Sequence, residues 1–192
     1  MLQHNGRLAD QTDPIVRKIK AITAKGSKNM TDDDYDRRDQ LEWEGGIYWA
    51  DGVGIVIPSQ NIERCLQMGA QKDRKGKQFA SAVLCSDMEY PVEHTALTEA
   101  YGKSPDMGKV YNVKIGDIRR FVNRSGSVIK GSRLFRVRPM IPTGWTVKFT
   151  LEYDEGIINA ADIKSALANA GALIGLSDWR PKFGRFIIES CK

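Results

Sequence analysis

The side chains best equipped for chemistry in this 192-residue chain are its cations, and they are unevenly placed. Between residues 114 and 138, Lys114, Arg119, Arg120, Arg124, Lys130, Arg133, Arg136 and Arg138 face one acid, Asp117. That is a net +7 in a segment of a chain whose total is +5. Six of the eight are arginine, whose planar guanidinium meets phosphate oxygens two at a time. They alternate with Phe121, Val122, Val128, Ile129, Leu134, Phe135 and Val137. A second group, Lys72, Arg74, Lys75 and Lys77, surrounds Gly76 and is interrupted by Asp73; a third, Arg180, Lys182 and Arg185, follows Trp179. Mixed-sign runs are ordinary solvated faces, whereas single-sign runs of this kind bind polyanions. A membrane surface would ask for an amphipathic helix, and Gly126, Gly131 and the β-branched residues favour strands instead.

Other chemistries are poorly supplied. His4 and His94 are the two histidines and lie in dissimilar contexts, which leaves no His-rich metal site and no partner for a His general base. Cys65, Cys85 and Cys191 are an odd number with neither a disulfide framework nor a CxxC half-site, so buried reduced thiols are expected. Asp32, Asp33 and Asp34 read as a helix cap and an acidic first turn rather than a metal cluster. Asp36 and Asp39 in the same stretch read as solvated charge. No catalytic residue, metal or cofactor is expected.

Hydrophobic residues at 41% and charged residues at 28% describe a chain able to bury a core, and its length suits a single domain over 1–192. No apolar run approaches the ~18 residues that span a bilayer, and the first residues lack the plan of a signal peptide.

The elements that must carry the cations follow from periodicity. Asp13-Pro14 opens a helix with Ile15, Ile19 and Ile22 on one face. Thr31 and Asp34 open a second that reaches about Glu44, so 13–45 reads as a helical insertion. Two short strands flank Asp51-Gly52, and a helix from Ser59 places Ile62, Cys65 and Leu66 together. The stretch 79–85 fits helix or strand equally. An acidic excursion over 86–106, net −4, precedes a strand at 110–115. Phe121-Val122 and Val128-Ile129 flank Asn123-Arg124-Ser125-Gly126, a turn sequence, which suggests a long basic hairpin. Residues 71–138 are thus basic loop and hairpin excursions. Val147, Phe149, Leu151 and Tyr153 alternate with polar residues as one strand, a helix follows from Asn159 with Ile163, Leu167 and Ile174 inward, and 183–188 reads as a final strand. Residues 145–189 make a β–α–β unit, and the fold class is α+β: an RRM or ferredoxin-like sheet with inserted helices and a basic β-hairpin. Trp43, Trp49 and Trp145 are expected in the core, and Trp179 is equally a loop anchor or a base-stacking platform.

Leu173-Ile174-Gly175, followed by Lys182-Phe183-Gly184-Arg185-Phe186, resembles the glycine-rich motif of the RAMP superfamily, the RRM-like backbone subunits of CRISPR effector complexes. The stretches His4-Asn5-Gly6-Arg7-Leu8 and Asp178-Trp179-Arg180-Pro181-Lys182-Phe183-Gly184-Arg185-Phe186 are similar to those of a family of uncharacterised phage and prophage proteins. The resemblance implies RNA or single-stranded DNA binding in repeated copies, inside the cytoplasm of a bacterial host. A RAMP domain opens with a core strand, and here only Met1, Leu2 and Gln3 precede His4-Asn5-Gly6. The strand is expected to be truncated, with a sheet edge that a neighbouring copy would cover in a homo-oligomer or filament.

The leading expectation is therefore a non-enzymatic protein that coats single-stranded nucleic acid through phosphate contacts and base stacking. Lys72, Arg74, Lys75, Lys77, Arg119, Arg120, Arg124, Lys130, Arg133, Arg136, Arg138, Trp179, Arg180, Lys182 and Arg185 would form its interface. An interaction protein that inhibits a host defence complex is the alternative. A nuclease ranks below both, because neither a carboxylate cluster nor a His pair is at hand.

Overall fold

Asp13 caps helix α1 (Pro14–Thr23) by accepting the Ile15 N–H, and Ile15 and Val16 are its buried residues. Helix α2 (Asp32–Gly46) begins with a full capping box between Thr31 and Asp34, while Asp32 and Asp33 occupy its first turn. The acidic triplet is thus a helix start, as its spacing suggests. The computed structural model describes residues 1–95, 121–129 and 132–191 of the chain. The 110–115 strand and most of the acidic excursion lie outside the described residues.

Helix α3 (Ser59–Ala70) buries Ile62, Cys65, Leu66, Gly69 and Ala70. This stripe meets Ile163, Ala166 and Leu167 of helix α5 (Ala160–Asn169), which Asn159 and Asp162 cap reciprocally. A Cβ on Gly69 would strike the Ala166 carbonyl oxygen, so only glycine admits the two backbones at this separation. The ambiguous 79–85 stretch resolves into both candidates: helix α4 (Gly76–Ala82) runs directly into strand β3 (Val83–Cys85).

The strands make an α+β protein with small antiparallel sheets. Strands β1 (Trp49–Ala50), β2 (Gly54–Pro58), β4 (Glu89–Glu93) and β7 (Thr146–Val147) form one sheet in that order. Strand β3 pairs with β8 (Leu151–Tyr153), and β5 (Val122–Ile129) with β6 (Ser132–Pro139). No ferredoxin-like topology is present among the described pairings. The alternating run from Thr146 to Tyr153 is not one strand: its first part pairs with β4 and its last with β3, because the bend between β3 and β4 divides the partner. Its apolar side still faces inward, with Val147, Phe149 and Leu151 packed against the core that holds Ile163, Leu167 and Ile174.

Two expected elements are corrected. Residues 183–188 form no strand. After α5 a π-helical turn (Ala170–Ile174) ends at Gly175, and the returning chain bonds to that helix end: Leu176 N–H to the Gly184 carbonyl at 2.8 Å and Phe186 N–H to the Gly171 carbonyl at 3.2 Å. Backbone groups spent on the helix terminus are not offered to a sheet, so the β–α–β reading of 145–189 loses its last strand. The expected turn at 123–126 lies instead inside β5, and the reversal falls between Ile129 and Ser132. Gly126 is tolerated in the strand, where it is paired with Phe135.

The start of the chain departs furthest from expectation. Leu2 bridges Met140 on one side and Asp178 on the other, and is fully buried. Met1 and Ile141 exchange backbone bonds, and the Gln3 side chain donates to Val56 O at 3.0 Å while accepting the Tyr48 N–H at 2.9 Å. Leu2 is thus bridged on both flanks within the chain, where an open edge was expected.

Helix α2 carries the hairpin. Trp43 Nε1 donates to the Phe121 carbonyl at 3.0 Å, and Glu42 Oε2 accepts the Val137 N–H of β6 at 3.0 Å. Burial raises the Glu42 carboxyl above its ordinary 4.5, against the lowering influence of that N–H and of Arg38. A carboxyl whose folded value is raised contributes stability that is complete below the unfolded value and is lost as pH rises through the folded one. Glu42→Gln, which keeps the acceptor oxygen, should therefore match or exceed the wild type in urea unfolding at pH 7, with the gap closing toward pH 4. Glu42→Ala orphans the Val137 N–H and should lose about 1–3 kcal/mol throughout. A deficit of the glutamine variant that grows with pH would mean that ionised Glu42 is net favourable.

Candidate nucleic-acid interface

Alternation along β6 puts Arg136 and Arg138 on one face and Phe135 and Val137 on the other. Across the hairpin Ser125 lies opposite Arg136 and Asn123 opposite Arg138, so these four share a face. Their bonds agree: Arg138 donates to Ser125 Oγ at 3.2 Å, and Ser125 Oγ donates to Asn123 at 2.8 Å. Arg124 lies opposite Val137 on the other face, which is turned to α2.

The hairpin arginines consequently have different surroundings. Arg138 is only 8% exposed, and its Nε sits 2.7 Å from Asp178 Oδ2. A guanidinium so enclosed and paired has the surroundings of a structural partner rather than of an open cation, unlike the solvent-facing contact expected of Arg138. Arg124 pairs with Asp39 at 3.0 Å while remaining largely exposed. Asp39 is itself buried, held also by Arg38 at 2.6 Å, and is not the solvated acid its context suggests. Arg136 is half-buried and makes no ion pair among the described residues. Arg119, Arg120 and Lys130 lie outside the described residues; Arg133 belongs to β6, and its side chain is likewise outside the description.

The other two basic groups behave differently from each other. The 71–77 segment, expected as a loop, is a 3-10 turn (Gln71–Asp73) that leads into α4, and its interrupting acid is the anchor, since Asp73 accepts from Ser165 at 2.6 Å and Asn169 at 3.1 Å on α5. Lys75 pairs with Asp162 at 2.6 Å on the same helix, and that partner holds the Asp162 carboxyl below its ordinary range. Lys75 thus serves as a tether, which leaves Lys72, Arg74 and Lys77 exposed. These bonds attach the segment to α5 rather than to the hairpin.

The C-terminal loop joins the hairpin directly. Asp178 receives Arg138 through its carboxylate and donates its N–H to the Leu2 carbonyl at 3.0 Å. The next residue, Trp179, is 40% exposed, with its backbone in the left-handed region at φ 52°. Its carbonyl accepts the Phe183 N–H at 3.1 Å, and its ring lies 5.6 Å from that of Phe183. Lys182 Nζ stands 4.9 Å from the indole centroid and the Arg138 guanidinium 5.9 Å. Arg180, Lys182 and Arg185 are exposed, with Arg185 donating to the Pro181 carbonyl at 3.1 Å. Gly184, at φ 79°, seals the loop: any Cβ there would overlap the Leu176 carbonyl oxygen. Trp43 is buried, and Trp49 and Trp145 pack against the core as expected.

His4 lies among these charges. Desolvation lowers its pKa, Asp178 pulls it back up, and Arg136 and Arg138 press it down. The cysteines are all free; burial pushes the Cys65 thiol up to about 11, whereas Cys191 is exposed and departs from the buried-thiol expectation. Among the described residues no group of three His, Cys, Asp or Glu side chains could hold a metal, and no helix is long and apolar enough to cross a membrane.

The arrangement therefore joins β6, through Arg138, to a loop presenting an indole and three cations. Asp178 was the residue that sequence reasoning missed. Its signal was available, as an acid immediately ahead of a tryptophan within a basic loop must neutralise something. Compared with family models, curated proteins and solved structures, the chain matches none.

Proposed function

We propose that this chain is a non-enzymatic nucleic-acid-binding protein that holds single strands by phosphate contacts and base stacking. The observation that carries the reading is the solvent-facing Trp179 on a loop with Arg180, Lys182 and Arg185, fixed against the arginine face of β6. An exposed aromatic with cations on the same loop is what a single strand asks for, and a duplex, whose bases stay stacked, gains nothing from the indole. The reading is non-enzymatic because the acids a nuclease would recruit have other work: Asp34 closes a capping box and Asp39 lies between Arg38 and Arg124. It does not depend on an RRM-like sheet. Nor does it call for assembly through the N-terminal segment, where Leu2 is bridged on both flanks.

Arg136, Arg180, Lys182 and Arg185 supply four contacts. At ~0.7 counterion per phosphate the log–log dependence of single-strand affinity on salt should have a slope near about −3. Fluorescence-anisotropy titrations of an oligothymidine across salt concentrations measure it, and a flat response would falsify the proposal.

Charge reversal separates contact from structural arginines. The triple variant Arg180→Glu, Lys182→Glu, Arg185→Glu should bind at least tenfold more weakly at moderate salt, with a melting temperature within a few degrees of wild type, because exposed cations contribute little to stability. Arg138→Glu should instead melt well below wild type, since it sets two carboxylates against each other in a buried position. Equal melting temperatures for the two proteins would contradict the division drawn here.

A further inference from the structure

The Arg138–Asp178 pair lies between the two parts of the interface and touches the indole itself. Asp178 is the residue before Trp179, and its two ties, to Arg138 and to the Leu2 backbone, fix the point from which the indole projects. Behind the ring the Phe183 N–H holds the Trp179 carbonyl, and Gly184 closes the loop. A bulky residue kept at positive φ is costly and persists where surrounding structure imposes it. The tryptophan is thereby exposed on a rigid mount, although a free indole would gain by folding down onto apolar surface. Lys182 stands over this ring with its ammonium exposed.

Resting on the nucleic-acid reading above, we infer that Trp179 is the platform that discriminates single strands from duplexes, that Arg138 and Asp178 are its positioning residues, and that Lys182 yields its place over the indole to an incoming base. The exchange is chemically balanced. A base of any identity presents a π-face to the indole, and the displaced ammonium remains within reach of that nucleotide's own phosphate. The cation–π contact of the free protein is replaced by a stack and a charge-assisted contact. Preference for unstacked bases without preference among them follows, because every base presents the same kind of π-face to the indole.

The test compares an oligothymidine with a duplex of equal length at one salt concentration, reading affinity by anisotropy and tryptophan emission in parallel. Wild type should prefer the single strand and lose emission on binding it. Trp179→Phe should keep single-strand affinity within about threefold but lose most of the quench. Trp179→Ala should weaken single-strand binding by about 5- to 150-fold, the range expected for one lost stack of ~1–3 kcal/mol, while duplex affinity stays within twofold. Asp178→Asn should reproduce the selective loss with an unchanged salt slope, a signature that general destabilisation does not give; Arg138→Lys should restore part of the preference relative to Arg138→Met. Lys182→Gln, at an exposed position that folding does not depend on, should reduce affinity with the quench amplitude retained.

Outcomes divide cleanly. If the single-strand preference and the quench survive Trp179→Ala, the platform is elsewhere and this inference is overturned while the binding function stands. If Trp179→Ala behaves as expected but folded Asp178→Asn keeps full preference, the positioning role is overturned. If wild type binds neither nucleic acid, the underlying reading fails and the inference with it.

Discussion

A buried arginine must have its charge answered, and in this protein that requirement ties together parts of the chain far apart in sequence. Arg138 is enclosed where β6 ends, the residue that answers it is Asp178, and between the elements that carry them runs the start of the chain. Leu2 bridges Met140, two residues beyond Arg138, and Asp178 itself. The pair therefore does more than neutralise a charge. It sets the depth at which the first three residues thread between hairpin and C-terminal loop, and Gln3 carries the constraint on to Val56 and Tyr48. Removing Asp178 would leave the buried Arg138 charge without this partner, a larger penalty than losing a surface pair.

The same logic governs the rest of the positive charge. A segment with a net +7 repels itself, and the fold answers at the hairpin's base: Asp39 takes Arg124, Glu42 takes a backbone N–H of β6, and Asp178 takes Arg138. Acids along α2 that look like solvated charge are the seat of the hairpin. In the 71–77 segment Asp73 and Asp162 do the equivalent. Cations are thus divided into those that anchor and those that remain available, and the anchoring acids make the division without reducing the positive charge at Arg180, Lys182 and Arg185.

Local elements were legible because their signals are local. The caps of α1, α2 and α5 read directly from Asp13, from Thr31 with Asp34, and from Asn159 with Asp162, and the inward stripe of α5 from its period. What escaped is decided by contacts between distant residues. Phe183, Phe186, Ile187 and Ile188 have strand propensity, but Gly184 and the exposed carbonyls of a π-helical end claimed their backbone. Asn123 to Gly126 is good turn sequence, yet the hairpin register places it within a strand. The short N-terminus looked like a missing strand, though two bridges from Leu2 suffice when Met1, Leu2 and Gln3 are all buried. Within the site, Arg180, Lys182 and Arg185 stood out as exposed cations from composition alone. The burial of Arg138 could not be read, because it depends on a loop forty residues away.

Trp179 shows why that distance matters for function. A tryptophan on a free loop would offer a base a surface that must first be found and then ordered, and the entropy of ordering would be subtracted from the stack. Here the ordering is completed during folding by interactions that owe nothing to a ligand: an ion pair, a backbone bridge and a glycine that fits no other residue. Exposure of the ring follows from the mount rather than from weak packing, and Lys182 and Arg138 keep cations beside it in the absence of a ligand. The pair that fixes the hairpin also fixes the residue before the indole, so under the proposed function a change at Arg138 or Asp178 should alter stability and strand preference together, whereas a change at Arg180 or Arg185 should alter affinity alone.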